Sequence, residues 1–445
     1  MKRSALMILV VSLVAAGPLD GQGLRALIEN LFIFSESADD PLFLQGSADE
    51  DDPLVRAHGE HFIPAAVGNN ATLIQFLTTA VGTNIANIPI SSTSGGVTYR
   101  FEAGVPIPTS TSPGPIIGER AQTLGRGRVL VGANVTRLKF KSIRGIQMDN
   151  IILNFTHENV DFAGCDAQFN GDCSLMGIPN LENDFIQLDL DLDLDVTATT
   201  FVLSYGLLDR VDIGAVVPII STSLRGTSRA QVFPFGGPTA VHFFEGTQDD
   251  PTLTASQSVA GSASGVGDIA ARLKIGISES STARFAILGE ARFPTGSEED
   301  LLGSGELIVR GLGIVSAQFG DFSAHGNIGY AYHESAQIND AVLATVGFDQ
   351  VMSPWATFAL DLQAELQVGD NKLGIPEDVQ FDTPFARRIS PTTIPDMRDD
   401  IINAAAGFKF TTPSGLTIVT NTIWPLNRGG LRPDVVWTAG LEFSF

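Results

Sequence analysis

The run from Ile186 to Val196 reads Ile-Gln-Leu-Asp-Leu-Asp-Leu-Asp-Leu-Asp-Val, apolar and polar residues in unbroken alternation. A helix would scatter such a pattern around its circumference, whereas a strand sends successive side chains to opposite faces. The segment is therefore a strand, with Leu188, Leu190, Leu192 and Leu194 on one face and Asp189, Asp191, Asp193 and Asp195 on the other. It continues to Tyr205 without a breaker. That exceeds the roughly five or six residues typical of a soluble sheet and suffices to cross a tilted membrane wall.

Beyond Gly95 the same theme repeats. Strands are readable near 97–105, 126–140, 146–157, 185–205, 210–224, 266–278, 283–295, 305–319, 322–334, 339–350, 355–368, 400–411, 416–425 and 433–445, an even number, fourteen. Short connections (141–145, 206–209, 279–282, 319–321, 351–354, 412–415) alternate with a set that contains every long one, notably 158–184, 225–265 and 369–399. Alternating faces recur: Phe285, Ile287, Ala291 and Phe293 oppose Arg284, Glu290 and Arg292, while Phe358, Leu360, Leu362 and Leu366 oppose Asp361, Gln363, Glu365 and Gln367. In the last strand Trp437, Ala439, Leu441, Phe443 and Phe445 oppose Thr438, Glu442 and Ser444. The expectation is an all-β fold, a transmembrane antiparallel up-and-down β-barrel of about 14 strands, with an N-terminal helical or irregular plug. A final aromatic after alternating apolar residues looks like the terminal strand of bacterial outer-membrane proteins. There it is the signal read by the barrel-assembly machinery, which would make Phe445 the contact and the bacterial outer membrane the location.

Lys2 and Arg3, then the apolar run Ala5 to Ala16 and small residues to Gly17, read as an export signal over residues 1–22. No later run reaches the roughly 18 apolar residues of a spanning helix. Residues 23–94 form a separate N-terminal periplasmic segment, helix-compatible over Leu24–Phe32 and apolar again from His58 to Ser94, and residues 95–445 form the barrel. A net charge of −23 excludes a nucleic-acid surface, which needs clustered Lys and Arg. The only cysteines, Cys165 and Cys173, lie close together in an exported chain and read as a local disulfide; with His157 alone nearby, no metal or other cofactor is expected.

Facing the polar rows inward gives a lumen lined by Asp189, Asp191, Asp193 and Asp195, by Arg272, Lys274, Arg284 and Arg292, and by Glu290, Asp361 and Glu365. Four carboxylates in one row need cations nearby. The charges brace a wide barrel as a salt-bridge network, form a cation-attracting strip in a solute path, or make a calcium-binding array, although the glycine-rich repeats of calcium-binding β-rolls are missing. His58-Gly59-Glu60-His61 lacks the helical spacing of a metal motif. Ser323, His325 and His333 share one inward face without defining a catalytic geometry, and no enzyme is expected. Tyr330, Tyr332, Phe408, Phe410 and Trp424 read as interfacial anchors facing lipid.

Two stretches, Gly118-Glu119-Arg120-Ala121-Gln122-Thr123-Leu124-Gly125-Arg126-Gly127 and Ser204-Tyr205-Gly206-Leu207-Leu208-Asp209-Arg210-Val211-Asp212-Ile213-Gly214 with Val217-Pro218, resemble the outer-membrane family labelled for the MetA pathway of phenol degradation. That family is similar to the long-chain fatty acid channels, fourteen-stranded barrels with an N-terminal hatch. The resemblance implies passive uptake of small hydrophobic or aromatic compounds. It also implies a hatch in the apolar segment opening with Phe62, Ile63 and Pro64, and solute capture by Phe233, Phe235, Phe243 and Phe244 in connection 225–265. The four-aspartate row departs from that pattern. A charge-selective general porin and a non-transporting display barrel stay open as alternatives, each with outer-membrane lipid around it.

Overall fold

The computed structural model describes residues 23–34, 114–156, 184–234, 250–280, 283–335, 338–375, 377–382, 385–412 and 414–445, with the short pieces 81, 99–102, 105–108, 167 and 244–247. A helix, α1 (Leu24–Asn30), precedes the strands β1 (Tyr99–Glu102), β2 (Val105–Pro108), β3 (Val129–Ile143), β4 (Ile146–Gln147), β5 (Ile151–Phe155), β6 (Phe185–Leu208) and β7 (Val211–Phe233). There follow β8 (Glu245–Thr247), β9 (Asp250–Thr252), β10 (Thr254–Val266), β11 (Ala270–Glu279), β12 (Ala283–Arg292), β13 (Ile308–Phe319), β14 (Phe322–His333), β15 (Ala341–Ser353) and β16 (Ala356–Gln367). The last are β17 (Val379–Phe381), β18 (Arg387–Ile389), β19 (Ile401–Thr411), β20 (Leu416–Pro425), β21 (Leu431–Pro433) and β22 (Val436–Ser444).

Antiparallel pairing closes a circuit of β3, β6, β7, β11, β12, β13, β14, β15, β16, β19, β20 and β22, twelve strands in all, with β22 returning to β3. The expected count of fourteen is corrected here. Of the two surplus segments, 97–105 contributes only β1, which pairs with β2 in a hairpin apart from the barrel. The other, 146–157, supplies β4 and β5, and β5 pairs with the far end of β6 at Ile186–Leu190, beyond the circuit.

Closure satisfies the backbone polar groups of every wall strand, the condition for crossing lipid with strands. Connections at one end are tight, such as the two residues between Leu208 and Val211 and those between Phe319 and Phe322. By the rule for these barrels this end is periplasmic. Leu203, Ile287, Ile328, Val346, Leu362 and Leu441 are among many exposed apolar side chains on the outer wall. A water-soluble surface would not keep such a belt, and lipid requires it.

At the opposite, extracellular end the 24-residue β6 and 23-residue β7 rise as one long hairpin. β11 pairs with β7 only over Val211–Val216, and β10 takes over along Ile219–Gln231. The extension therefore has its own small sheet, β5-β6-β7-β10. Its inner face is apolar: Leu188, Leu190, Leu192 and Leu194 are at most 4% exposed and pack with Phe140, Leu31, Phe32 and Leu302. α1 lies against β10, with Leu24 and Leu27 over Gly261 and Leu31 over Gly226, where any added Cβ would collide. Each buried leucine contributes about 1.5–3 kcal/mol, enough to hold a seven-residue helix that would not persist alone.

Candidate functional site

The segment 114–128, just upstream of β3, does not join the wall but enters the lumen. Side chains of the wall bind its backbone as far as Leu124, and at its end Gly127 and Arg128 rejoin the wall through backbone hydrogen bonds with Gly206 of β6. The Asp361 carboxylate accepts hydrogen bonds from the Ile117 and Gly118 amides at 2.9 and 3.2 Å and contacts His325 Nε2 at 2.6 Å. Asn327 brackets Glu119, its Oδ1 accepting from the Glu119 amide and its Nδ2 donating to the Glu119 carbonyl, both at 2.8 Å. The Ala121 amide donates to Ser316 Oγ at 3.0 Å and the Leu124 amide to Asp212 at 2.8 Å. Five wall strands, β7, β13, β14, β15 and β16, are thus tied to one short stretch, the fifth through Arg120 and Asp349.

Charge is distributed as tightly. Glu119 pairs with Arg272 at 3.0 Å and Lys274 at 3.3 Å, and Arg272 also reaches Glu290 at 3.1 Å. Glu290 in turn meets Arg292 at 3.3 Å and Arg310 at 3.4 Å. All these groups except Arg310 are less than 10% exposed. Burial makes every bare charge costly, so the network is kept only because each member has partners. Glycine permits the fit at Gly118, where a Cβ would lie 2.4 Å from His325 Nε2, and at Gly206, where it would lie 1.9 Å from the Gly125 carbonyl.

Between this plug and the wall remains a cavity of about 110 Å³, lined by Glu119, Arg272, Glu290, Arg310, Leu288 and Leu312 among others. A cavity of roughly 150 Å³ is what holds a benzene ring in a protein interior. The cavity beside the plug is smaller than that.

The sequence-derived site residues divide. Arg272, Lys274, Glu290, Arg292, Asp361 and Glu365 lie buried in the lumen wall, and Arg284 lies half-buried beside the periplasmic turn. The four aspartates do not. Odd-numbered residues of β6 point outward, so Asp189, Asp191, Asp193 and Asp195 face solvent and their leucine neighbours face in. The cause is position along the strand. Below about Thr199 the wall has lipid outside; above it the outside is water and the inside a dry, helix-filled chamber, which reverses the demand on each face. Their cations are Lys139, 2.9 Å from Asp193, and Arg137, 3.2 Å from Asp195, rather than Arg272 and Lys274.

Connection 225–265 also proves to be largely strand, as the end of β7 and as β10. Phe233 stacks on Phe185 with centroids 5.1 Å apart, and Phe244 is buried against Phe34 at 5.5 Å. Phe235 and Phe243, the hatch residues Phe62, Ile63 and Pro64, and Cys165 and Cys173 lie outside the described residues. The plug itself went unassigned from sequence. Its signal was a stretch of glycine and both charges placed immediately before a barrel strand, and its wall partners Asp212, Ser316, Asn327 and Asp349 carry no local pattern at all.

A closed antiparallel barrel with a lipid-facing belt, tight turns at one end and an occluded, charge-lined lumen defines the class: a bacterial outer-membrane β-barrel. No protein-family profile matches the chain, and no curated protein does. Among solved structures it is similar to an outer membrane channel from Pseudomonas putida F1, with 11% identity over 73% of this chain and 98% of that one and a TM-score of 0.40. It is also similar to a Pseudomonas aeruginosa FadL homologue (10%, covering 80% and 97%, TM-score 0.32) and to a mutant of the monoaromatic hydrocarbon channel TodX (10%, covering 72% and 90%, TM-score 0.32). Identities and TM-scores this low leave the assignment of this chain to its own geometry.

Proposed function

We propose that the protein is an outer-membrane channel for passive uptake of small hydrophobic or aromatic compounds. The observation that carries this reading is a lumen stopper held by reversible polar contacts beneath an apolar chamber. A barrel that only braced the membrane or displayed loops would have no need of a separable segment matched by side-chain contacts to β11 as well as to β7, β13, β14, β15 and β16. Solute would have to loosen the packing of α1 and Phe244 on the β6 leucines before reaching the cavity beside Leu288 and Leu312. Arg272, Lys274, Glu290, Arg292, Asp361 and Glu365 line the path below, and of these Arg272, Lys274 and Asp361 hold the stopper until it shifts. Residues 1–22 are removed on export, residues 23–94 supply further gating, and Phe445 addresses the chain to barrel assembly.

The test is single-channel conductance in planar bilayers, comparing the full chain with a variant in which residues 115–124 are replaced by a Gly/Ser linker. The intact protein is expected to be nearly closed and the variant to show steady steps. Intact protein that already conducts in large steps makes it a general porin, and two silent proteins make it a display barrel.

A further inference from the structure

The outer faces of three adjacent strands change character at one level. On β6, Phe201, Leu203 and Tyr205 give way through Thr199 and Thr197 to the aspartates. On β7, Ile213, Val217 and Ile219 give way to Ser221, Ser223, Arg225 and Arg229. On β3, Val131 and Val135 give way to Arg137, Lys139 and Lys141. Register places Thr197 opposite both Arg137 and Ser221, and Val135 opposite Thr199, so the three transitions coincide. Strands tilted by roughly 40° climb about 2.5 Å per residue, which sets Asp195 roughly 15 Å above Phe201, at the height of lipid head groups and the sugars above them.

Two grooves meet at this level and share Arg137. The upper, of about 400 Å³, is polar and is lined by Arg137, Asp193, Asp195, Ser221, Ser223 and Arg225. The lower, of about 650 Å³, lies on the lipid-facing wall, where Ala406, Gly407 and Ala439 make a shallow floor between Trp437, Trp424 and Phe408. Trp437 is the direct cross-strand neighbour of Arg137. In a chain of net charge −23, the upper belt carries five bases, Arg137, Lys139, Lys141, Arg225 and Arg229, against four aspartates. Among the described residues Arg225 and Arg229 make no ion pair, although Asp193 and Asp189 stand opposite them in register.

We propose that the two grooves form one binding site for a phosphorylated glycolipid of the outer leaflet, an acyl chain lying in the lower groove and head-group phosphate on Arg137, Lys139 and Arg225. Guanidinium forks match phosphate geometry, and the tryptophans sit where the glycolipid changes from chain to sugar. The aspartates beside them face the next head group, where divalent cations bridge phosphate to carboxylate. The occupant is a lipid rather than a soluble anion because Arg137 lines both the polar groove and the apolar groove below it on the lipid-facing wall.

Full-length protein would be reconstituted in phosphatidylcholine nanodiscs containing either lipopolysaccharide or phosphatidylglycerol, re-extracted, and its retained lipid measured by native mass spectrometry, with inorganic phosphate as a competitor. Lipopolysaccharide is expected to be retained over phosphatidylglycerol and to resist phosphate. R137S/R225S and, separately, A439W should each retain about tenfold less, a loss of about 1.4 kcal/mol. Heat-dependent gel migration reports whether each variant forms a closed barrel, and A439W tests the lower groove without touching a charge. Equal retention by wild type and both folded variants overturns the site, as does displacement by inorganic phosphate or equal retention of the two lipids.

Discussion

Arg120 and Asp349 show what a single pair does in this lumen. Their side chains are 4% and 0% exposed, so truncating either strands the other in a site where water cannot replace it. Arg120→Ala is expected to lower stability by about 3–5 kcal/mol, and the double variant with Asp349→Ala to recover part of that loss, as read by denaturant unfolding in detergent. Gly118 tests the plug differently. Gly118→Val pushes a side chain into His325 and Asp361, and the expected result is a rise in open time at low voltage, while the same change at exposed Gly311, whose backbone is not left-handed and whose added side chain meets open space, alters neither conductance nor unfolding. None of these partnerships was legible beforehand. Residues some 200 or more positions apart become neighbours through barrel closure, and sequence alternation reports which face a residue occupies, never which residue stands across the lumen from it.

At the scale of the element, β6 explains both the success and the error of reading strands by alternation. A period of two fixed the strand and its two faces, but period alone does not say which face is inside. The clue lay further along: Leu188 to Leu194 are even-numbered, whereas Phe201, Leu203 and Tyr205 are odd-numbered. Both sets cannot meet lipid on one straight strand, so one of them had to face inward, and the acids beside the even-numbered set settle which. Substituting Leu190, 1% exposed, by Ala should cost about 2–5 kcal/mol, since the chamber filled by α1 collapses poorly. Asp191→Asn, on the opposite face of the same strand, should shift stability by no more than about 0.5 kcal/mol. Denaturant titration of both variants separates the faces directly, and equal effects would contradict the assigned orientation.

For the whole molecule, the strand count was overestimated by the two segments that pair in the extension or outside the barrel, because a strand's sequence does not reveal whether its neighbours complete a ring. The extension behaves as a soluble domain built on a membrane wall, with a dry interior and charged exterior. Removing residues 24–34 should therefore leave the membrane-spanning circuit closed and the extension uncovered. The expected outcome is heat-modifiable migration unchanged, with faster backbone hydrogen exchange in β10 and in the parts of β6 and β7 beyond the wall; loss of the migration shift would show that α1 is needed for closure itself.

The short turn through Gly125 and Gly127 fixes where the segment 114–128 is tied to the wall. Both residues have positive φ, 87° and 77°, and Gly127 is hydrogen-bonded to Gly206 at the rim where β3 begins. This is the stopper's downstream anchor, at the periplasmic mouth, and Val129 just beyond it is locked to Phe445 along the seam. If the segment leaves the lumen as the proposed function requires, it pivots on the Gly127–Gly206 pair while the seam between β22 and β3 stays closed beside it.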